Sequence, residues 1–188
     1  GLVATGGFEM LVAQAVYAAE YFTGRTLDCE TLIPQISREL QKELQNVVLI
    51  GMPGCGKSTV GAVLAQKLGK TFVDADAEIE RRTGKAIPDI FAQEGEEAFR
   101  RYEADVIADL TRQNRQVIAC GGGVVKTPQN LHALRQNGPV LWVQRPIEKL
   151  ATAGRPLSKG SEALRRMEHE RLPLYRAAAT GTVCNDGA

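Results

Sequence analysis

Gly51-Met52-Pro53-Gly54-Cys55-Gly56-Lys57-Ser58-Thr59 is the stretch from which the rest of the chain can be read. It fits G-x-x-x-x-G-K-[ST] at Gly51, Gly56, Lys57 and Ser58, the pattern of a phosphate-binding P-loop. Glycines let the backbone curl until its N–H groups point inward at a polyphosphate, and the following helix turns its positive N-terminal end to the same anion. In that arrangement Lys57 reaches the β and γ phosphates and the Ser58 hydroxyl ligates Mg²⁺. The flanks supply the context: Val47, Val48, Leu49 and Ile50 read as a short strand. Val60, Val63, Leu64 and Leu68 are expected on one helical face, closed by Gly69. A glycine-rich turn that binds nothing is the competing reading, and the strand, loop and helix in sequence argue against it.

A chain of 188 residues can bury one good core with an appendage. The formal charge of +1 gives no support to a nucleic-acid or membrane-surface partner, so anion recognition has to be local. Cysteines 29, 55, 120 and 184 show no C-x-x-C pairing or metal-ligand spacing and read as reduced thiols of a cytoplasmic protein. Cys55, beside a helix N-terminus, is open to a lowered pKa, but a small side chain where only the backbone matters is the plainer reading. No apolar run approaches the roughly 20 residues of a membrane span. The first cationic residue is Arg25, so no signal peptide is expected.

Residues 1–45 precede the first strand. Met10 to Phe22 is nearly all apolar and stops at Thr23-Gly24; such a helix should be buried against something. A second helix from Glu30 carries Leu32, Ile36, Leu40 and Leu44 along one face, with Pro34 in its first turn. Two helices are too few to bury themselves, so they pack on the following domain or expose an apolar surface for docking or self-association. Beyond the P-loop helix, Thr71 to Val73 form a strand ending at Asp74-Ala75-Asp76, where both carboxylates share a side if strand geometry persists. Helical pieces follow at 77–82, 86–93 and 96–113, the last with Phe99, Tyr102, Val106, Ile107 and Leu110 on one face and Arg100, Arg101 and Glu103 displaced from it. Strands at Gln116–Ala119 and Pro139–Val143 flank a helix begun by Thr127-Pro128. Residues 146–162 read as a polar, hinged excursion; a helix from Ser161 to about Ala178 is broken at Pro173, and Thr182–Cys184 is a last strand. The alternation implies βαβ units, a mostly parallel sheet with helices on both faces, and a ligand cleft outside the carboxyl ends of the strands.

Phosphoryl transfer requires charge screening, a held metal and an acceptor hydroxyl in line. Asp74 is the candidate acid near the metal, and Asp76 is free to accept the acceptor's hydroxyl proton; each reads alternatively as a turn or capping residue. Arg100 and Arg171, distant in sequence, can meet over the cleft as guanidinium forks for a carboxylate, though either alone reads as a solvated helix arginine. Gly121-Gly122-Gly123 can bring backbone close to a small ligand or form a plain turn. Arg155, between Gly154 and Pro156, is placed to close over phosphates as a lid residue. His132 and His169 have no partner pattern and read as surface residues.

The set Gly51–Thr59, Phe72-Val73-Asp74-Ala75-Asp76, Phe99-Arg100-Arg101-Tyr102-Glu103, Gly121–Gly123, Gly154-Arg155-Pro156-Leu157 and Arg171-Leu172-Pro173-Leu174-Tyr175 resembles shikimate kinase across residues 46–186. The resemblance implies a P-loop NTPase fold of the nucleoside monophosphate kinase-like type, a three-layer α/β/α sandwich over residues 46–188. It implies ATP-dependent phosphorylation of the shikimate 3-hydroxyl in aromatic amino acid biosynthesis. Asp76, Arg100, Gly121, Gly122, Gly123 and Arg171 would bind shikimate, with Asp76 on the 3-hydroxyl. Gly54, Cys55, Gly56, Lys57, Ser58 and Thr59 would bind ATP, with Ser58 and Asp74 at Mg²⁺. Lys57, Asp76 and the lid residue Arg155 would serve catalysis. Glu103 would orient Arg100, and Phe91 and Phe99 would wall the substrate pocket. Two departures bear on adenine affinity and stability: Ala151 and Thr152 stand where longer lids carry arginines, and the chain is expected to stop short of the family's final helix.

Residues 6–24 are similar to the C-terminal helix of shikimate dehydrogenase, with Gln14 at the position of its substrate-touching glutamine. This implies that residues 1–28 are the remnant of a fused dehydrogenase and kinase, and names a dehydrogenase as associated partner; an unrelated apolar helix is the alternative. A monomer or weak oligomer is expected. Rival readings are a kinase for another hydroxylated substrate such as gluconate, and a non-catalytic module binding a shikimate-like effector.

Overall fold

The computed structural model describes residues 7–150 and 161–186. They fall into two compact units, 1–44 and 45–188. In the second, strands β1 (Val47–Ile50), β2 (Thr71–Asp74), β3 (Gln116–Ala119), β4 (Val140–Gln144) and β5 (Gly181–Cys184) form one parallel sheet in the order β2-β3-β1-β4-β5. Every residue of β1 and β3 is buried, which is why β1 and, after the buried Gln116, Val117 to Ala119 read as apolar runs without alternation. Pairings such as Leu49↔Ala119 and Ile50↔Trp142 align the strands, so all five release their following loops at one edge. Because β1 is central, β3 and β2 lie to one side of the P-loop and β4 and β5 to the other. At the opposite edge Asn46, 1% exposed, donates to Gln113 O (2.7 Å) and accepts from Gln116 N (2.9 Å), satisfying chain ends that would otherwise be buried without partners.

Helix α3 (Lys57–Leu68) ends at Gly69 in the left-handed conformation, as expected. Its buried face corrects the expectation in part: Val60 and Leu64 pack against the core, partly buried. Gly61 and Ala65 are buried, while Val63 and Leu68 are 51% and 47% exposed. A Cβ on Gly61 would sit 2.6 Å from the Phe72 ring and 3.1 Å from Leu49 Cδ1, so the smallest residues set the line of closest approach to the sheet. Strand geometry also ends at Asp74, which caps α4 (Ala75–Thr83) by accepting from the Asp76 and Ala77 amides. Asp76 therefore stands in a helical first turn rather than two places along a strand.

Helices α5 (Ile87–Gln93), α6 (Gly95–Thr111), α7 (Pro128–Gln136) and α8 (Ser161–Ala178) complete the unit. Helix α6 buries Phe99, Val106, Ile107 and Leu110 as expected, but also Glu103, at 1% exposed; the sequence placed it off that face. Helix α8 runs through Pro173 without the expected break. Pro173 and His169 are both exposed, so the carbonyl four residues before the proline, which loses its helical donor, lies on a side open to solvent.

The first unit is α1 (Gly7–Thr23) and α2 (Cys29–Leu44), joined by a turn in which Glu20 accepts from Leu27 N at 3.1 Å. Burial of α1 is less than its sequence demanded: Val12 and Val16 are buried, but Tyr21 and Phe22 are each 83% exposed. An apolar groove runs between the helices, lined by residues such as Val12, Val16, Leu32 and Ile36.

Candidate active site

A cleft of about 480 Å³ opens at the carboxyl edge of the sheet. It gathers Gly54, Gly56, Lys57, Ser58, Thr59, Asp74, Asp76, Arg100, Gly121, Gly122, Gly123 and Arg171, residues expected from sequence to act together. Cys55, within the same loop, is fully buried and does not line the cleft. Arg155 lies outside the described residues. His132 and His169 are exposed, as expected.

The loop after β1 carries positive φ at Gly54 and Gly56, the curl that turns successive N–H groups to one side. Lys57 is 9% exposed, and its Nζ donates to Gly51 O and Met52 O, both at 3.0 Å, so the loop itself positions the ammonium. Ser58 Oγ donates to Asp74 Oδ2 at 2.6 Å. That bond joins the first turn of α3 to the end of β2 and sets a hydroxyl and a carboxylate side by side.

On the β3 side the three glycines are spacers. A Cβ on Gly121 would lie 2.6 Å from Asp76 Oδ1, and one on Gly123 2.5 Å from Arg100 Nη2. The chain after β3 is thus bare where a carboxylate and a guanidinium approach it. Arg100 is braced by Glu103 (2.9 Å) and Glu96 (3.0 Å) and lies 5.2 Å above the Phe99 ring. Burial works against the Arg100 charge, but Glu103 and Glu96 outweigh it and raise its pKa. Burial raises the Glu103 carboxyl above the usual range; Arg100 opposes this only in part, and Asp76 adds to it. Phe91 and Phe99, with ring centroids 4.8 Å apart, form an apolar wall.

Arg171, on α8, is 5% exposed, and its Nε has no hydrogen-bond partner among the described residues. A buried guanidinium left with an unmet donor at a cleft is suited to an anion. One turn on, fully buried Tyr175 donates to Gly122 O at 2.5 Å, fixing the glycine strip to α8. Burial drives its phenol upward, as it does the Cys120 thiol below the strip, so both stay protonated. Sequence reasoning passed over Tyr175 as a positioning group, and also Arg145, Glu80 and Met167, which line the cleft. Arg145 follows the last residue of β4, and its position at a strand end was the signal that marked Asp74.

The family model for shikimate kinase matches residues 53–188. The chain belongs to the shikimate kinase family. Shikimate kinase of Symbiobacterium thermophilum is 42% identical over 151 residues, covering 75% of this chain and 87% of that protein. That of Nitrosomonas europaea is 44% identical over 142 residues, covering 71% and 67%. Among solved structures, shikimate kinase from Acinetobacter baumannii in complex with shikimate aligns with a TM-score of 0.75 and 38% identity, over 80% of this chain and 88% of that one. Shikimate kinase from Aquifex aeolicus aligns with a TM-score of 0.67 and 31% identity, over 76% and 88%. The nucleoside monophosphate kinase-like α/β fold expected from sequence is the fold found, and ATP is the co-substrate of this kinase family. Among the described residues no helix is long and apolar enough to cross a membrane.

Proposed function

We propose that the unit at residues 46–188 transfers the γ-phosphoryl group of ATP to the 3-hydroxyl of shikimate. The observation that carries this reading is the pairing, in one cleft, of a P-loop with two arginines and a carboxylate facing a glycine strip. A polyphosphate needs the first; a small acid with hydroxyls fits the second. In the proposal Gly54 to Thr59 hold the phosphates and Lys57 screens the moving charge. Arg100 and Arg171 clamp the shikimate carboxylate, while Gly121, Gly122 and Gly123 let the ring approach. Asp76 accepts the hydroxyl proton, and Arg155 acts as lid residue.

Ser58 and Asp74 suit Mg²⁺, which favours one or two protein oxygens beside substrate phosphates over a closed protein cage. Their 2.6 Å contact supplies a hard-oxygen pair, and the described residues hold no cluster of three or more His, Cys, Asp or Glu groups fit for a metal. Bound there beside the substrate phosphates, the ion would supply neutralisation of the charge that develops on the transferred group. A soluble, cytoplasmic enzyme of low oligomeric order is part of the same proposal. So is the origin of residues 1–28 as a dehydrogenase remnant, favoured by the exposed apolar side chains of α1.

ADP release from Mg-ATP, measured with shikimate, with gluconate and with neither, tests the assignment. Release that depends on shikimate, and falls by about 10³-fold or more in Asp76→Asn while ATP still binds, is the expected result. Equal release with gluconate would sink the substrate assignment, and normal turnover of Asp76→Asn the role of that carboxylate.

A further inference from the structure

We propose that Arg145 binds the nucleotide at its ribose and base end, forming with Asn185 the wall of the P-loop that faces away from the acceptor. This deepens the kinase reading above and rests on it. The sheet order supplies the direction. Asp76, Arg100 and the glycine strip stand on the β2–β3 side of the P-loop, and in-line transfer turns the γ-phosphate toward them. The remainder of the nucleotide then leaves the loop toward the ends of β4 and β5.

Four cations line the cleft among the described residues: Lys57, Arg100, Arg145 and Arg171. Lys57 is committed to the phosphate loop and Arg100 is braced by two carboxylates on the acceptor side. Arg145 is the cation on the β4 side. It is half-buried, its Nε is buried without a partner among the described residues, and its Nη1 lies 4.0 Å from where a Gly56 Cβ would stand. A half-buried planar cation with an unmet donor, placed beside the exit from the phosphate cradle, is suited to an aromatic base and ribose oxygens.

Its mounting is firm. Asn185 N donates to Gln144 O at 2.7 Å and its Nδ2 to Cys55 O at 2.8 Å, tying the end of β5 to both β4 and the P-loop. Lys149 adds a bond to Asp186 O at 3.2 Å. A Cβ on Gly56 would collide with the Asn185 amide, so the glycine at this position makes room for the wall as well as for the left-handed turn.

The test compares wild type, Arg145→Ala and Arg145→Lys by calorimetric titration with Mg-ADP and with inorganic tripolyphosphate, alongside KM for ATP and for shikimate. For Arg145→Ala the expectation is a loss of about tenfold in ADP affinity and a similar rise in ATP KM. Tripolyphosphate affinity and shikimate KM should stay within about twofold, and Arg145→Lys should recover little, because an ammonium lacks the planar face. Unchanged ADP affinity overturns the proposal; so does an equal loss for tripolyphosphate, which would place Arg145 on the phosphates. Should Arg145→Ala not fold, full retention of ADP affinity in Arg145→Lys overturns it as well. Wild type that binds Mg-ADP but releases none in response to shikimate would count against the kinase reading and leave the Arg145 assignment to the titration.

Discussion

Glu103 shows how one buried carboxylate can serve a neighbour at some cost to the fold. It is 1% exposed, one oxygen accepts from Arg100 at 2.9 Å, and the other has no partner among the described residues. Burial raises its pKa, so the folded state holds the proton more tightly than the unfolded chain does. The sign follows: with the native value above the ordinary one of about 4.3, its contribution is complete at pH below that value and is lost as pH rises through the raised native pKa. Glu103→Gln should therefore flatten the pH dependence of Tm above about pH 4.3, measured by thermal unfolding across a pH series. It should also raise shikimate KM by about tenfold, since Arg100 loses its charged brace. A mutant with wild-type KM would show that Glu96 alone orients the guanidinium.

Among the elements, α3 shows what a pattern of apolar residues conveys and what it leaves out. Strand, loop and helix were legible because the signals were local: an apolar run, a glycine loop and a terminal glycine. The face was not. Helical spacing picked Val60, Val63, Leu64 and Leu68, but contact with the sheet is set by Gly61 and Ala65, whose lack of bulk carries no hydrophobic signal. Glu103 misled for the converse reason, being a charged residue whose partner sits one turn away on the same helix. Asp76 was assigned to the right cleft by an incorrect geometry, since the capping role of Asp74 turns the chain into a helix before the second carboxylate. Arg171 was named with Arg100 as a fork for a carboxylate, but its burial was not legible, because nothing local to α8 says which arginine is buried. Gly61→Ala should thus lower stability by about 1–3 kcal/mol, with overpacking against Phe72 exceeding the roughly 1 kcal/mol gained in helix propensity. Val63→Lys, on the exposed face, should change it by no more than about 0.5 kcal/mol. Chemical denaturation of the two variants decides; a stabilised Gly61→Ala would mean that the Phe72 ring shifts freely.

At the scale of the whole molecule the parallel sheet collects loops from five strands at one edge, so residues spread from Pro53 to Arg171 converge without any one segment containing the site. Every described residue lining that cleft belongs to the second unit, and so does the continuous core beneath it. Among its described residues the first unit buries Val12, Val16 and Ser37, too little for two helices to hold together by themselves. A chain beginning at Gln45 should accordingly fold cooperatively, keep shikimate-dependent ADP release within about twofold of the full chain, and differ in Tm by about 5 °C or less. Residues 1–44 alone should show little helix by circular dichroism. Solution mass adds a separate reading: if the exposed apolar residues of α1 drive self-association, the full chain will be heavier than its monomer and the shortened one will not. Loss of turnover in the shortened chain, with its cooperative unfolding intact, would instead make the N-terminal helices part of the working enzyme.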